Sequence, residues 1–280
     1  MTFKWDGHTH TKFCYHGNPA EEPAYLDRAI ELGFERYTIS EHPPLPDKWI
    51  DNPRLMAELA MPMEELPDYL AYAEEMKARY AGRIEVTVGL EMDYLYGRED
   101  FSDALLDRYG SRLEDVVVSV HYLPGAGGMR CIDFTADDFR EGLLAHYGSM
   151  DAVAEEYYDH VEKAIEWAAG LPMRKRLGHV QLIEKFREAL PPISPELIER
   201  RLTALLPKLQ ETGVGIDVNV AGLRVPTCGQ TYVPRWFLAA CASRGIPLIY
   251  GSDTHKPEHV GADWAWFETA FGTSGAESSE

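Results

Sequence analysis

Basic side chains are scarce in this 280-residue chain: 27 Lys plus Arg face 46 Asp plus Glu, giving a formal charge of −19. A surface of that sign repels nucleic acid and anionic membranes, so neither is expected as a partner. Long apolar runs are also missing. None approaches the roughly 20 residues that span a bilayer. No basic stretch leads into an apolar one near the first residue, so no secretory leader is expected. Cysteine is limited to Cys14, Cys131, Cys228 and Cys241, far apart and without a Cys-x-x-Cys pair. That usage fits incidental thiols in a reducing compartment, not a disulfide framework. Internal repeats are absent too. These absences lead to the expectation of a soluble, cytoplasmic protein.

What the chain does have is 45% hydrophobic residues, enough for one sizeable core. Apolar runs rich in Val, Ile, Leu and Tyr read as strands at 3–10, 36–42, 84–94, 115–123, 175–180, 213–220 and 247–254. Helical patterns separate them, among them 21–32, 63–80, 100–109, 232–244 and 264–271, with two more on either side of Pro191-Pro192. The Gly-rich 124–128 reads as a mobile loop. It opens an insertion of about 124–170 whose helices, near 137–146 and 150–169, would form a lid. Strands alternating with helices imply parallel pairing through right-handed crossovers. Seven such units without a linker favour a closed or nearly closed barrel, one domain over 1–272, with 273–280 as a disordered tail.

Two histidines, His8 and His10, end the first strand and project from the same face of it. Alone, a His-x-His pair is a weak metal signal. Ten histidines are present, however, and seven lie at strand ends or in the loops that follow: His8, His10, His16, His42, His121, His179 and His255. The third strand offers Glu91 and the seventh Asp253. In a parallel barrel all these ends share one rim, where active sites are built. Imidazole mixed with carboxylate suits zinc, iron or manganese and not calcium. Nine donors exceed one tetrahedral site and suit two or three divalent ions. Ions ~3.5–4 Å apart can share a hydroxide nucleophile and clamp both ends of a displacement on phosphorus. His146, His160 and His259 are expected to stand outside the site, and Asp6 and Asp93 to support ligands more than to bind ions.

The ordered motifs resemble the PHP (polymerase and histidinol phosphatase) family, in its histidinol-phosphatase branch. They are His8-Thr-His10, Phe13-Cys-Tyr-His-Gly17, Ser40-Glu-His-Pro-Pro-Leu-Pro46, Gly89-Leu-Glu-Met-Asp-Tyr94, Ser119-Val-His-Tyr-Leu123, Gly178-His179 and Gly251-Ser-Asp-Thr-His-Lys-Pro257. The resemblance implies a distorted (β/α)7 TIM-like barrel, the PHP fold, with its metal site at the C-terminal rim of the strands. It implies one ion on His8, His10, Glu91 and Asp253. A second would share Glu91 with His121 and His179, and a third would sit on His16, His42 and His255. The activity implied is metal-dependent hydrolysis of L-histidinol phosphate in histidine synthesis, by attack of a metal-bound hydroxide on phosphorus.

Arg224, in Asn219-Val-Ala-Gly-Leu-Arg224, matches a similar stretch of the branch and would neutralise charge on the phosphoryl oxygens; a surface salt bridge is the plainer alternative. Lys185 falls in a basic stretch of the branch, although Glu184 dilutes that charge here. Asp253 or His255 would protonate the leaving alkoxide, and Asp93 or Asp133 would receive the substrate ammonium. Other readings are another phosphoesterase or DNA-end nuclease of this family, a non-catalytic PHP scaffold, or an amidohydrolase barrel. The last would want a lysine where Glu91 stands.

Overall fold

Along residues 85–93 of the computed structural model, which describes residues 3–271, side chains alternate between two environments. Val86, Val88, Leu90 and Met92 join the main apolar core, whereas Thr87, Glu91 and Asp93 are equally buried but polar. The same split recurs elsewhere: Val116 and Val118 against Asp115 and Ser119, and Ile216 and Val218 against Asp217 and Asn219. A period of two places one face of each strand against covering helices and the other in a shared lumen.

The chain runs through β1 (Trp5–Asp6), α1 (Glu22–Glu31), β2 (Arg36–Glu41), α2 (Pro53–Leu59) and α3 (Leu66–Arg79) to β3 (Glu85–Asp93), α4 (Glu99–Tyr109) and β4 (Asp115–Ser119). A hairpin of β5 (Tyr122–Gly125) and β6 (Gly128–Cys131) follows. Next come α5 (Ala136–Phe139) and α6 (Ala145–Tyr147), joined by a π-helical turn at Arg140–Leu144. The remaining elements are α7 (Met150–Ala169), β7 (Arg174–Leu177), α8 (Pro195–Thr212), β8 (Gly215–Asn219), α9 (Arg235–Ser243), β9 (Leu248–Gly251) and α10 (Trp264–Phe271).

Seven parallel strands pair in the order β1-β2-β3-β4-β7-β8-β9. The seam between β9 and β1 closes just beyond the strands, through a parallel bridge of Thr9 with Thr254. Gly7 N–H donates to Tyr250 O at 2.8 Å, Asp253 N–H to His8 O at 2.9 Å and His10 N–H to Thr254 O at 2.9 Å. The expected (β/α)7 barrel is therefore what forms. Its narrow lumen demands glycine at close approaches: a Cβ on Gly251 would lie 2.0 Å from Asp217 Oδ1, and one on Gly178 would lie 2.1 Å from Ser119 Oγ.

Four features differ from the sequence reading. Residues 124–128 are not a free loop; they form the tip of the β5–β6 hairpin, where positive φ at Gly127 and Gly128 makes the turn. α7 is not a lid. It is the crossover helix between β4 and β7, capped by Ser149 onto Ala152 N–H at 3.1 Å. Tyr157, Val161, Ala164 and Ile165 on α7 are all buried. One helix, α8, follows Pro191-Pro192, but before it stands only a short 3-10 turn, Leu182–Glu184, and no second α-helix. Finally, α2 was not foreseen; Asn52 caps it by accepting from Leu55 N–H at 3.1 Å. The tail expected at 273–280 lies outside the described residues. No helix among the described residues is long and apolar enough to cross a membrane.

Candidate metal centre

The strand ends converge on Glu91, as the parity of β3 and the shared rim require. Glu91 Oε2 lies 3.0 Å from His8 Nε2, 3.3 Å from His10 Nε2 and 3.4 Å from His42 Nδ1. Its other oxygen, Oε1, lies 2.9 Å from His179 Nε2 and 3.6 Å from His121 Nε2. One carboxylate thus faces two groups of imidazoles with two different oxygens. Asp253 Oδ1 stands 3.3 Å from His10 Nε2. A third pair, His16 Nε2 and His255 Nε2, meets at 3.2 Å beside His42, with the His255 ring stacked on His10 at 4.0 Å. The structure brings together all nine donors read from the sequence.

Five of these rings are held by their outer nitrogens. His8 Nδ1 is 2.8 Å from Asp217 Oδ2, His10 Nδ1 3.1 Å from Glu41 Oε1 and His121 Nδ1 2.6 Å from Asp93 Oδ1. His16 Nδ1 is 2.9 Å from Glu58 O, and His255 Nδ1 is 3.1 Å from Asp253 O. Such oxygens only accept, so Nδ1 carries the proton, and in the neutral ring Nε2 points a lone pair inward. His8 Nε2 and His10 Nε2 are buried and have no hydrogen-bond partner among the described residues. Lone pairs that converge at about 3 Å without protons between them repel unless a cation sits among them.

The electrostatics make the same demand. Burial disfavours charge on His8, but Glu91, Asp217 and Asp253 outweigh it and raise its pKa well above the ordinary value. His10 is raised likewise, against burial, by Glu41, Asp253 and Glu91. Burial holds His255 down to about 3, with His10 adding to the effect, and burial lowers His42 well below the usual range. The rim thus calls for positive charge but does not let every ring supply it. Donor atoms of His8, His10 and Glu91, and those of His42, Glu91 and His121, lie within 4.8 Å of one another. These residues fit divalent metal ions.

A model of the PHP domain matches residues 6–221. The chain belongs to the PHP domain family. It is 36% identical to the histidinol-phosphatase of Bacillus subtilis over 258 residues, covering 92% of this chain and 96% of that protein. A Listeria monocytogenes structure, solved as a candidate histidinol phosphatase, superposes with a TM-score of 0.89 at 34% identity, covering 94% of this chain and 100% of the other. A Lactococcus lactis histidinol phosphate phosphatase, solved with zinc, L-histidinol and phosphate, shares the fold with a TM-score of 0.70 at 16% identity, over 96% and 94% of the two chains.

The PHP centre opens into a cavity of about 460 Å³. Lys185 and Arg224 both line it. Lys185 Nζ donates to Asp133 Oδ2 at 2.9 Å, which spends the Asp133 charge on that lysine. Arg224 donates to Ser252 O at 2.5 Å and pairs with Asp263 at 3.3 Å, so one guanidinium edge is anchored. Asp93 does not line the cavity; its carboxylate is turned to His121. His259 does line it, whereas His146 and His160 do not.

Sequence reasoning placed Asp93 behind a ligand, where it holds His121, but missed the other groups that hold the PHP ligands in place. Glu41 is fully buried, and it accepts from Thr11 N–H and Thr11 Oγ1–H at 2.8 Å besides facing His10. Despite burial, His10 and the hydrogen bonds hold its pKa down to about 2. Ser119 Oγ–H donates to Glu91 Oε1 at 2.7 Å, and Asn219 Nδ2–H bridges to Asp217 and Asp253 at 3.1 and 3.0 Å. Strand parity was the available signal: Asp217 and Asn219 share a face of β8, and Ser119 precedes His121 by two. Cys14 lies beside His10, His42 and His255, but burial pushes its thiol up to about 12, which keeps it neutral.

Proposed function

We infer that the protein is a histidinol-phosphatase, hydrolysing L-histidinol phosphate to L-histidinol and phosphate in histidine synthesis. The observation that carries this is the two-faced Glu91 carboxylate, with imidazole nitrogens gathered on each oxygen, in a chain of this family whose donor set is complete. We assign two or three ions, of zinc, iron or manganese character. His8, His10, Glu91 and Asp253 would hold one, Glu91 with His121 and His179 the next, and His16, His42 and His255 another. When bound, such ions supply an activated water and neutralise charge gathering on phosphoryl oxygens.

The chain's own groups do the rest. Lys185 and Arg224 face the cavity from two different loops and would bind the phosphoryl oxygens, with Asp133 and Ser252 O holding them in place. His255 rests neutral and Asp253 ionised at neutral pH, because their pKa values are lowered. His255, with Nδ1 protonated against Asp253 O and Nε2 given to an ion, would have no nitrogen free for a proton, so Asp253 would protonate the leaving alkoxide after taking the proton that the attacking water gives up. The cavity volume suits a small amino-alcohol ester. Purified enzyme loaded with manganese or zinc should release phosphate from histidinol phosphate far faster than from glycerol phosphate. A flat preference across phosphomonoesters would remove the substrate while leaving the chemistry.

A further inference from the structure

Histidinol phosphate carries two opposite charges: a phosphate dianion and, on the carbon next to the ester methylene, an ammonium group. The rim and its two cationic side chains suit the dianion. The ammonium needs a carboxylate that faces the same cavity and is not already committed. Among the described residues, four carboxylates line the cavity: Glu58, Glu91, Asp133 and Asp253. Glu91 is surrounded by five imidazoles, Asp253 accepts from Asn219 and faces His10, and Asp133 accepts from Lys185 at 2.9 Å and from Cys131 Sγ at 3.0 Å. Only Glu58 is left. Its sole ionic neighbour among the described residues is Arg54 at 3.8 Å on the same helix, whose side chain is 92% exposed. A pair of that kind contributes little and yields easily to a better partner.

Glu58 is also well placed. Its backbone carbonyl receives the Nδ1–H of His16 at 2.9 Å, which fixes the end of α2 to the metal rim. One turn earlier on α2, Leu55 is buried in a small apolar cluster with Trp49, Leu95 and Tyr122. Leu55 and Leu59 line the cavity from this side and Phe134 from the hairpin side, apolar surface for the substrate's methylenes and ring. Resting on the substrate inferred above, we propose that Glu58 receives the substrate ammonium and makes the enzyme select amino-alcohol phosphates over neutral esters.

The test compares kcat/KM for L-histidinol phosphate with that for the same ester lacking the amino group, imidazolylpropyl phosphate. Wild type, Glu58→Gln and Asp133→Asn are measured, with the metal content of each read by elemental analysis. Glu58→Gln keeps the backbone carbonyl that holds His16, so its metal content should match wild type. Its preference for the amino ester should fall about ten- to a hundredfold, mainly through KM. Asp133→Asn frees Lys185 and should weaken both esters while leaving the preference standing. A Glu58→Gln enzyme that keeps the full preference overturns the proposal, as does one that loses both esters equally, or a preference that collapses in Asp133→Asn instead. A wild type that treats the two esters alike also overturns the proposal, whereas one that hydrolyses neither ester faster than glycerol phosphate overturns the substrate reading itself.

Discussion

Five of the seven imidazoles of the centre are held from behind by an oxygen, and the acidity of those oxygens decides how well the ring can bind a cation. Asp217 is the clearest case: it touches His8, Asn219 and the His179 N–H, at 2.8, 3.1 and 3.4 Å, yet it does not line the cavity. Asp217→Asn should lower metal affinity or activity by about 10–100-fold while the far-ultraviolet circular dichroism stays native. Glu91→Gln removes the carboxylate charge that faces both groups of rings, and its loss should exceed that of Asp217→Asn in the same metal titration. The nine donors were legible in the sequence because their signal is local: a ligand-type residue at the end of an apolar run. Glu41 and Asp217 were not, because their role exists only once distant strands pair. Nothing within β8 alone says that Asp217 will meet His8, 209 positions away. Asp253 was legible as a donor, but its backbone was not; its φ of 51° is unusual for a residue other than glycine. The seam bond to His8 O and the Asn219 amide hold it there.

At the scale of elements, strand and helix order was readable because apolar periodicity marks both, whereas the roles of 124–170 were not. A Gly-rich stretch looks the same whether it is a mobile loop or a tight hairpin. What decides is the pairing of Tyr122 with Cys131 and Leu123 with Arg130. Helix α7 was placed correctly and misjudged in function, since an amphipathic helix does not announce which surface it covers. Helix α2 escaped because its seven residues begin with a cap and a proline and show less than two turns of periodicity. Close packing between strands gives a sharp prediction. Gly251→Ala would set a Cβ 2.9 Å from His8 Cβ and still nearer Asp217 Oδ1. Chemical denaturation should show a loss of about 1–3 kcal/mol, accompanied by weaker metal binding, because the same two side chains belong to the centre.

Across the whole molecule the lumen is a polar column, and it has a second charged level below the rim. Arg176, 1% exposed, donates to Asp115 at 2.6 and 2.8 Å and to Gly7 O at 2.5 Å, tying β7, β4 and the first strand together. Arg176→Leu alone leaves the buried Asp115 with the half-exposed Arg174 at 3.6 Å in place of a hydrogen-bonded guanidinium and should cost about 3–5 kcal/mol in unfolding free energy, whereas Arg176→Leu with Asp115→Val should recover most of that. A chain with a formal charge of −19 gathers its carboxylates in this column as well as on the surface. Metal is therefore expected to stabilise the fold: free ion at a hundredfold its dissociation constant adds about 2.7 kcal/mol, which a thermal melt with and without chelator should register as a lower midpoint in the stripped protein.

The central claim is that Glu91 joins two sets of imidazoles into one centre holding more than one divalent ion. Elemental analysis of purified wild type and Glu91→Gln tests it most directly. Two or three ions per wild-type chain, falling by more than one in the variant, is the predicted result. A single ion per chain, or a content that Glu91→Gln leaves unchanged, would contradict it.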